Sequence, residues 1–285
     1  MNLSLVSLEC NKLIRKKMNG QFYKYDRDSR DVVTVTLNRP EVHNAFNDEL
    51  ITELITCFKK INEDNSIRLV VLTGEGKSFC AGADLNWMKR MKDYTDQENY
   101  DDSLALSNLF SAINNCDVPV IGKINGAALG GGSGLVAVCD YALACKSAKF
   151  GFTETRLGLV PAVISPFVMA KIGENYARSY FLSGERFVAP EAMRIGLVHS
   201  ITPLDNLDTE TERLIAHFLK AGPHAAKTAK KLIRNVMKLQ NSGKGEDVVD
   251  YTCKTIAAIR VGDEAQEGMS ALLDKRKPSW IQNEE

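Results

Sequence analysis

The segment Pro119-Val-Ile-Gly-Lys-Ile-Asn-Gly-Ala-Ala-Leu-Gly-Gly-Gly-Ser-Gly134 restricts what this chain can fold into more than any other stretch. Val120, Ile121 and Ile124 form a short apolar run that reads as a buried strand. Asn125-Gly126 is a turn signal that closes it, and Gly130, Gly131 and Gly132 then lead into Leu135 to Val138, apolar and helical in character. Glycines where a strand hands over to a helix permit backbone geometries and close approaches that side chains forbid. Amide N–H groups at a helix N-terminus can also face a developing negative charge.

Strand and helix signals alternate around that segment. Residues 32–37 (Val-Val-Thr-Val-Thr-Leu) are β-branched and alternating, which predicts a strand. Ile51, Leu54, Ile55, Phe58 and Ile61 then recur at helical spacing between Asp48 and Ile61. A second strand is expected at Ile67 to Thr73, and Asp84 can cap a short helix bearing Leu85, Met88 and Met91. Thr95 and Glu98 have capping-box spacing, which starts another helix. A strand at Tyr141 to Cys145 follows the glycine segment and its helix. Such alternation argues for a mixed α/β core with parallel pairings. Beyond Asp205 the chain becomes helical, with windows at 205–221, 224–240, 246–259 and 263–276, separated by Gly222-Pro223 and Gly243. The expected organisation is an N-terminal extension at 1–20, an α/β core at 21–204 and a helical C-terminal region at 205–285.

Bulk properties exclude several classes. Lys plus Arg balance Asp plus Glu at 36 each in 285 residues, which removes the overall basic excess expected of a nucleic-acid binder. No apolar run approaches the ~20 residues that a membrane helix needs. Leu3, Leu5, Val6 and Leu8 have no basic residue before them, and the basic cluster Lys12 to Lys17 follows, the wrong order for a secretory signal. Seven scattered cysteines (10, 57, 80, 116, 139, 145, 253) suit reduced thiols in a cytoplasmic protein better than a disulfide framework or a zinc site.

Familiar catalytic motifs fail in turn. Gly76-Lys77-Ser78 has the tail of a phosphate-binding loop, but the first glycine of that pattern would fall at Val71. A dinucleotide fingerprint and a nucleophile elbow around Ser133 would each require glycine at Leu135. The four histidines show no metal-pair spacing, so no metal and no nucleotide cofactor is expected. What remains is a pair of loops, Ser78-Phe-Cys-Ala-Gly-Ala-Asp84 and the glycine segment, each after a strand. If those strands are parallel neighbours, both loops emerge at one sheet edge, and the amides of Ala83 and Gly131 can point at one carbonyl oxygen. The same small residues can equally serve only to permit tight turns. A third segment, Phe150-Gly-Phe-Thr-Glu-Thr-Arg-Leu-Gly-Leu-Val-Pro-Ala162, holds one acid, Glu154, in apolar and glycine-rich surroundings. Partial burial would lift its pKa toward the working range of a general acid/base, whereas a solvated or helix-capping glutamate would do no chemistry. Arg156 can be a partner for Glu154, a substrate anchor or a surface residue.

Together these segments resemble the enoyl-CoA hydratase/isomerase (crotonase) family, from about Val33 to Trp280. The similarity includes Leu37-Asn-Arg-Pro-Glu-Val-His-Asn-Ala45, Ala81-Gly-Ala-Asp84, Asn125-Gly-Ala-Ala-Leu-Gly-Gly-Gly132, Cys139-Asp140, and Glu154 followed by Leu157-Gly158. Leu182-Ser-Gly-Glu185, Ala192 to Val198 and Lys275-Arg-Lys-Pro278 also fit. The resemblance implies a spiral of ββα units with a helical C-terminal region that builds trimers or dimers of trimers. It implies an acyl-CoA thioester as substrate, coenzyme A entering only as part of it. It also implies oxyanion donors at Ala83 and Gly131, and a coenzyme A and substrate site around Val42, Ala45, Ala81, Ala83, Asp84, Leu85, Gly131 and Gly134. Glu154 matches the acid/base position, and Ala162 a position whose amide helps to orient water.

One departure stands out. Family hydratases typically carry a first glutamate shortly after the triple glycine; here that position is Gly134. Isomerases of the family that move a double bond between carbons often work with one carboxylate. The run Glu154-Thr-Arg-Leu-Gly-Leu-Val-Pro-Ala-Val-Ile-Ser-Pro166 is similar instead to the branch hydrating methylglutaconyl-CoA or carboxygeranoyl-type esters, where glycine can also stand at 134. The implied activity is hydration of a branched or carboxylated enoyl-CoA, with Arg156 as a candidate anchor. The alternatives are a Δ3,Δ2-enoyl-CoA isomerase using Glu154 alone and an inactive acyl-CoA-binding member.

Overall fold

The computed structural model describes residues 19–243 and 245–281; nearly all of the expected N-terminal extension therefore lies outside the described residues. Two sheets carry the site. The larger has six strands in the order β1 (Tyr23–Arg27), β2 (Val32–Leu37), β3 (Leu69–Gly74), β5 (Val120–Ile124), β7 (Tyr141–Cys145) and β10 (Ser200–Thr202). Every pairing from β2 to β10 is parallel, and only β1 runs antiparallel. The smaller has β4 (Ser78–Cys80), β6 (Ala127–Leu129), β8 (Lys149–Gly151) and β9 (Arg186–Val188), with β4–β6 and β6–β8 parallel.

The two sheets are built alternately. β3 is followed by β4, β5 by β6 and β7 by β8, so each of these three strands of the large sheet hands the chain to a three-residue strand in the small one. Helices then return it: α2 (Leu85–Arg90) and α3 (Asp96–Asn114) after β4, α4 (Gly131–Val138) after β6, and α5 (Ser165–Ser183) after β8. This is a ββα spiral. The expected parallel neighbours β3 and β5 are present. The short second strands are an addition, and their C-terminal ends, not those of β3 and β5, deliver the two loops.

Local chemistry explains the long elements. β3 is buried at all six positions, as the apolar run requires. In α1 (Asp48–Glu63), Asn47 Oδ1 accepts from the Leu50 amide at 2.9 Å, and Leu50, Ile51, Leu54, Cys57, Phe58 and Ile61 are buried along one face. Fully burying each large apolar side chain contributes about 1.5–3 kcal/mol. Thr95 and Glu98 form the expected capping box on α3.

A short helix α6 (Ala189–Arg194) precedes β10, and the C-terminal helices α7 (Leu207–Phe218), α8 (Pro223–Asn241), α9 (Gly245–Arg260) and α10 (Asp263–Leu273) fall close to the expected windows. α8 lies against the core through cations one turn apart. Lys227 Nζ donates to Asn65 O at 3.0 Å, Lys230 Nζ to Asp140 Oδ2 at 2.6 Å, and Arg234 to Asn115 Oδ1 at 3.1 Å. Among the described residues no helix is long and apolar enough to cross a membrane.

Candidate active site

The two glycine-bearing loops converge. The chain around Ala83 is held on both sides by Phe46: the Phe46 amide donates to Gly82 O at 2.7 Å, and the Asp84 amide donates to Phe46 O at 2.8 Å. One residue earlier the Ala81 amide donates to His43 O at 3.0 Å. This parallel bridge leaves the Ala83 amide without a protein partner among the described residues, and Ala83 is exposed. Gly82 has φ +94°, and a Cβ there would stand 2.8 Å from Leu129 O and 3.7 Å from the Gly131 nitrogen. Glycine therefore both permits the turn and lets the two loops touch. The Gly131 amide opens α4 and likewise has no protein acceptor among the described residues, as a first-turn amide should not.

Glu154 completes the cluster. It lies in a 3-10 turn, Thr153–Leu157, directly after β8, and the Gly130 amide donates to Gly151 O at 2.8 Å to lock the ends of β6 and β8 together. A Cβ at Gly130 would stand 3.1 Å from Glu154 Oε1 and 3.5 Å from its carboxyl carbon. The acid is thus beside the residue that precedes the second free amide. Its Oε2 is buried with no hydrogen-bond partner among the described residues. Burial pushes the carboxyl pKa up, opposed more weakly by a hydrogen bond from its own backbone. A half-buried carboxyl with one unpartnered oxygen, seated beside Gly130, can take and return a proton next to a carbonyl polarised by the neighbouring free amides.

Other residues of the expected site divide. Val42 and Ala81 are half-buried and Leu85 is 71% exposed, all on the paired loops, whereas Ala45 is buried with its carbonyl accepting from Arg39 Nη1 at 2.5 Å. Asp84 is buried and fully engaged: Oδ1 accepts the Asn86 amide at 2.8 Å as N-cap of α2, and Oδ2 accepts Arg39 Nη2 at 2.8 Å. Although burial works to raise its pKa, the Asn86 amide and the Arg39 guanidinium outweigh it and hold the carboxyl below its usual range. The Asp84 side chain is therefore committed to protein partners. Gly134 is buried beneath Ile164 and Phe110. The Ala162 amide donates to Val160 O at 2.8 Å, so a tight local turn occupies the donor expected to hold water. Arg156 is exposed, and its Nε donates to Ser183 O at 3.2 Å at the end of α5.

Sequence reasoning passed over the residues that hold the first loop. Asn44 is wholly buried at φ +56°; its Nδ2 donates to Glu75 O at 2.9 Å and Ser78 O at 2.8 Å, and its Oδ1 accepts the Arg39 amide at 2.8 Å. Arg39 and Asn44 stand inside the Leu37–Ala45 run, but only the fold shows that they reach 45 and 34 positions along the chain.

The chain is similar to known proteins along nearly its whole length. The family model for enoyl-CoA hydratase/isomerase matches residues 27–283. A protein of Thermus thermophilus is 34% identical over 250 residues, covering 87% of this chain and 97% of its own length. The structure of an enoyl-CoA hydratase from Shewanella pealeana superposes with a TM-score of 0.86 at 33% identity, covering 94% of this chain and 98% of that one. An enoyl-CoA hydratase from Mycobacterium smegmatis gives 0.85 at 32% identity, over 92% and 99%. The spiral of ββα units, the matched length and these relatives together place the chain in the enoyl-CoA hydratase/isomerase, or crotonase, family of enzymes.

Proposed function

We propose that this enzyme adds water across the α,β-double bond of a branched or carboxylated acyl-CoA thioester, with Glu154 as its single acid/base. The observation that carries the reading is the position of the Glu154 carboxyl, its Oε2 buried and unpartnered, beside Gly130, the residue before the free Gly131 amide. The ionised carboxylate takes a proton from water as the hydroxyl oxygen bonds to the β-carbon. The π electrons move toward the α-carbon and the thioester oxygen, where the Ala83 and Gly131 amides stabilise the enolate-like charge. Glu154 then returns the proton to the α-carbon, and the atoms of one water have been added.

The acyl preference is supported by Arg156, two residues from Glu154. Its Nε is tied to Ser183 O, and on this exposed residue the Nη groups are left to meet a second carboxylate. Assembly into trimers, or dimers of trimers, is supported by Ile233, Met237, Val249, Ile256, Leu272 and Leu273, all exposed apolar residues of the C-terminal helices. A cytoplasmic setting fits the six free cysteines among the described residues.

One observation favours double-bond migration as a second reading: Ile164 and Phe110 crowd the space at Gly134, where the chain has no acid, so in this reading one carboxyl does all the proton work. A panel of enoyl-CoA esters separates the two. Hydration consumes the conjugated enoyl absorbance, and isomerisation creates it from a 3-enoyl ester. Loss of the absorbance, fastest with carboxylated esters and absent in Glu154→Gln, is the expected result; formation of it alone would overturn hydration.

A further inference from the structure

Arg39 and Asp84 form a buried ion pair, their side chains 11% and 8% exposed, inside the loop cluster but away from its open face. Such a pair is a poor source of net stability, since desolvating two charges offsets most of their attraction. What it does here is geometric. Arg39 Nη2 holds Asp84, the residue after Ala83, while Nη1 holds the carbonyl of Ala45, the residue before Phe46. Phe46 in turn hydrogen-bonds the peptides on either side of Ala83. The Arg39 amide is itself fixed by Asn44 Oδ1, and the guanidinium lies 5.2 Å from the Phe22 ring centroid. One guanidinium thus clamps both strands of the bridge from which the Ala83 amide projects.

We propose that Arg39 and Asp84 are positioning residues that aim the Ala83 amide at the thioester oxygen. Both side chains act through the Phe46–Ala83 bridge. The inference rests on the reading of Ala83 as an oxyanion donor. A donor aimed at a developing oxyanion contributes through placement, so a tilt of the Ala83 peptide weakens the transition state far more than it weakens binding.

The test uses the full-length enzyme, Asp84→Asn and Arg39→Lys, with butyryl-CoA carrying a 13C carbonyl as a probe that cannot be hydrated. Asp84→Asn keeps an acceptor for the Asn86 amide, and Arg39→Lys keeps the charge while losing the two-armed grip. In the native enzyme the carbonyl stretch of the bound probe is expected below that of free probe. In both variants that displacement shrinks and kcat falls roughly 10–100-fold while KM moves less than about threefold. Thermal melts identify a variant that fails to fold, and the other then decides. Variants that retain the displacement, or that lose kcat with the displacement intact, would overturn the positioning role while leaving the amide reading in place. A native enzyme that shows no displacement would sink the amide reading itself.

Discussion

Ile164 fills the space that any side chain on Gly134 would need. A Cβ at Gly134 collides with Ile164 Cγ2 and stands 3.0 Å from Ile164 Cβ and 3.1 Å from Cε1 of Phe110. Both neighbours are buried, and Phe110 is also packed edge-on against Phe46 at 6.2 Å. The absence of the first glutamate is therefore part of the packing, not an open site waiting for an acid.

Gly134→Glu alone is expected to destabilise the enzyme by about 1–3 kcal/mol or more, as overpacking does, without raising hydration of crotonyl-CoA. The β-branched Ile164 side chain cannot swing away cheaply. Gly134→Glu combined with Ile164→Ala opens the volume, and the pair is expected to regain part of the lost stability and to hydrate crotonyl-CoA faster than the native enzyme. Urea melts and initial rates on the native enzyme and the two variants check this. A single Gly134→Glu variant as stable and as active as the pair would contradict it.

Legibility in the sequence tracked the reach of each signal. The alternation at 32–37, the helical spacing at 48–61 and the strand at 141–145 are local patterns, and the structure has those elements. β4, β6, β8 and β9 are three residues long, too short for any period, and exist because each pairs with a partner tens of residues away. The glycine turn, Ala83 and Glu154 are candidates by composition, with tight turns and a solvated acid as alternatives, and only the family resemblance gives them roles. What Asp84 and Ala162 do with their polar groups was not legible, because it depends on which donor or acceptor the fold brings within 3 Å.

Glu154→Gln is expected to lower turnover by about 10²–10⁴-fold, the range for a lost general acid/base, with acyl-CoA binding retained. It also carries a stability signature. Because burial raises the folded-state pKa, the native enzyme has its full stability below the unfolded glutamate pKa of ~4.3 and loses some as pH climbs through the higher folded value. Glutamine does not ionise. The stability of Glu154→Gln relative to native should therefore rise from pH 4 to pH 8. Chemical denaturation at several pH values tests it, and a difference independent of pH would rule out the burial argument.

Lys230 and Asp140 join the C-terminal region to the core. Asp140 Oδ2 accepts from Lys230 Nζ at 2.6 Å and from the Val120 amide at 2.7 Å, and Lys230 also donates to Val118 O at 3.1 Å. The side chains are 11% and 32% exposed, between a buried and a surface pair. Lys230→Met is expected to cost roughly 1–3 kcal/mol and Asp140→Asn a similar amount, with the double variant less destabilised than the sum. A double-mutant cycle measures the coupling; strict additivity would show that α8 is held by other contacts.

Gly130 offers the sharpest separation of strain from chemistry. Its φ of +52° and ψ of −122° form a combination that residues with a Cβ rarely adopt, and a Cβ there would press on Glu154 Oε1 at 3.1 Å. Gly243 also has positive φ, +72°, but a Cβ there would meet nothing within 4 Å. Gly243→Ala should cost about 1 kcal/mol of backbone strain and leave kcat unchanged. Gly130→Ala should cost about 1–3 kcal/mol and also displace the carboxyl, lowering kcat on the order of 10²-fold because small errors in placing a proton-transfer group are amplified in rate. Steady-state kinetics on the two variants, each melted to confirm folding, distinguish these effects. Equal kcat in both would mean that Glu154 accommodates the added methyl by a rotation the chemistry tolerates, and that its seat beside Gly130 is not what sets the rate.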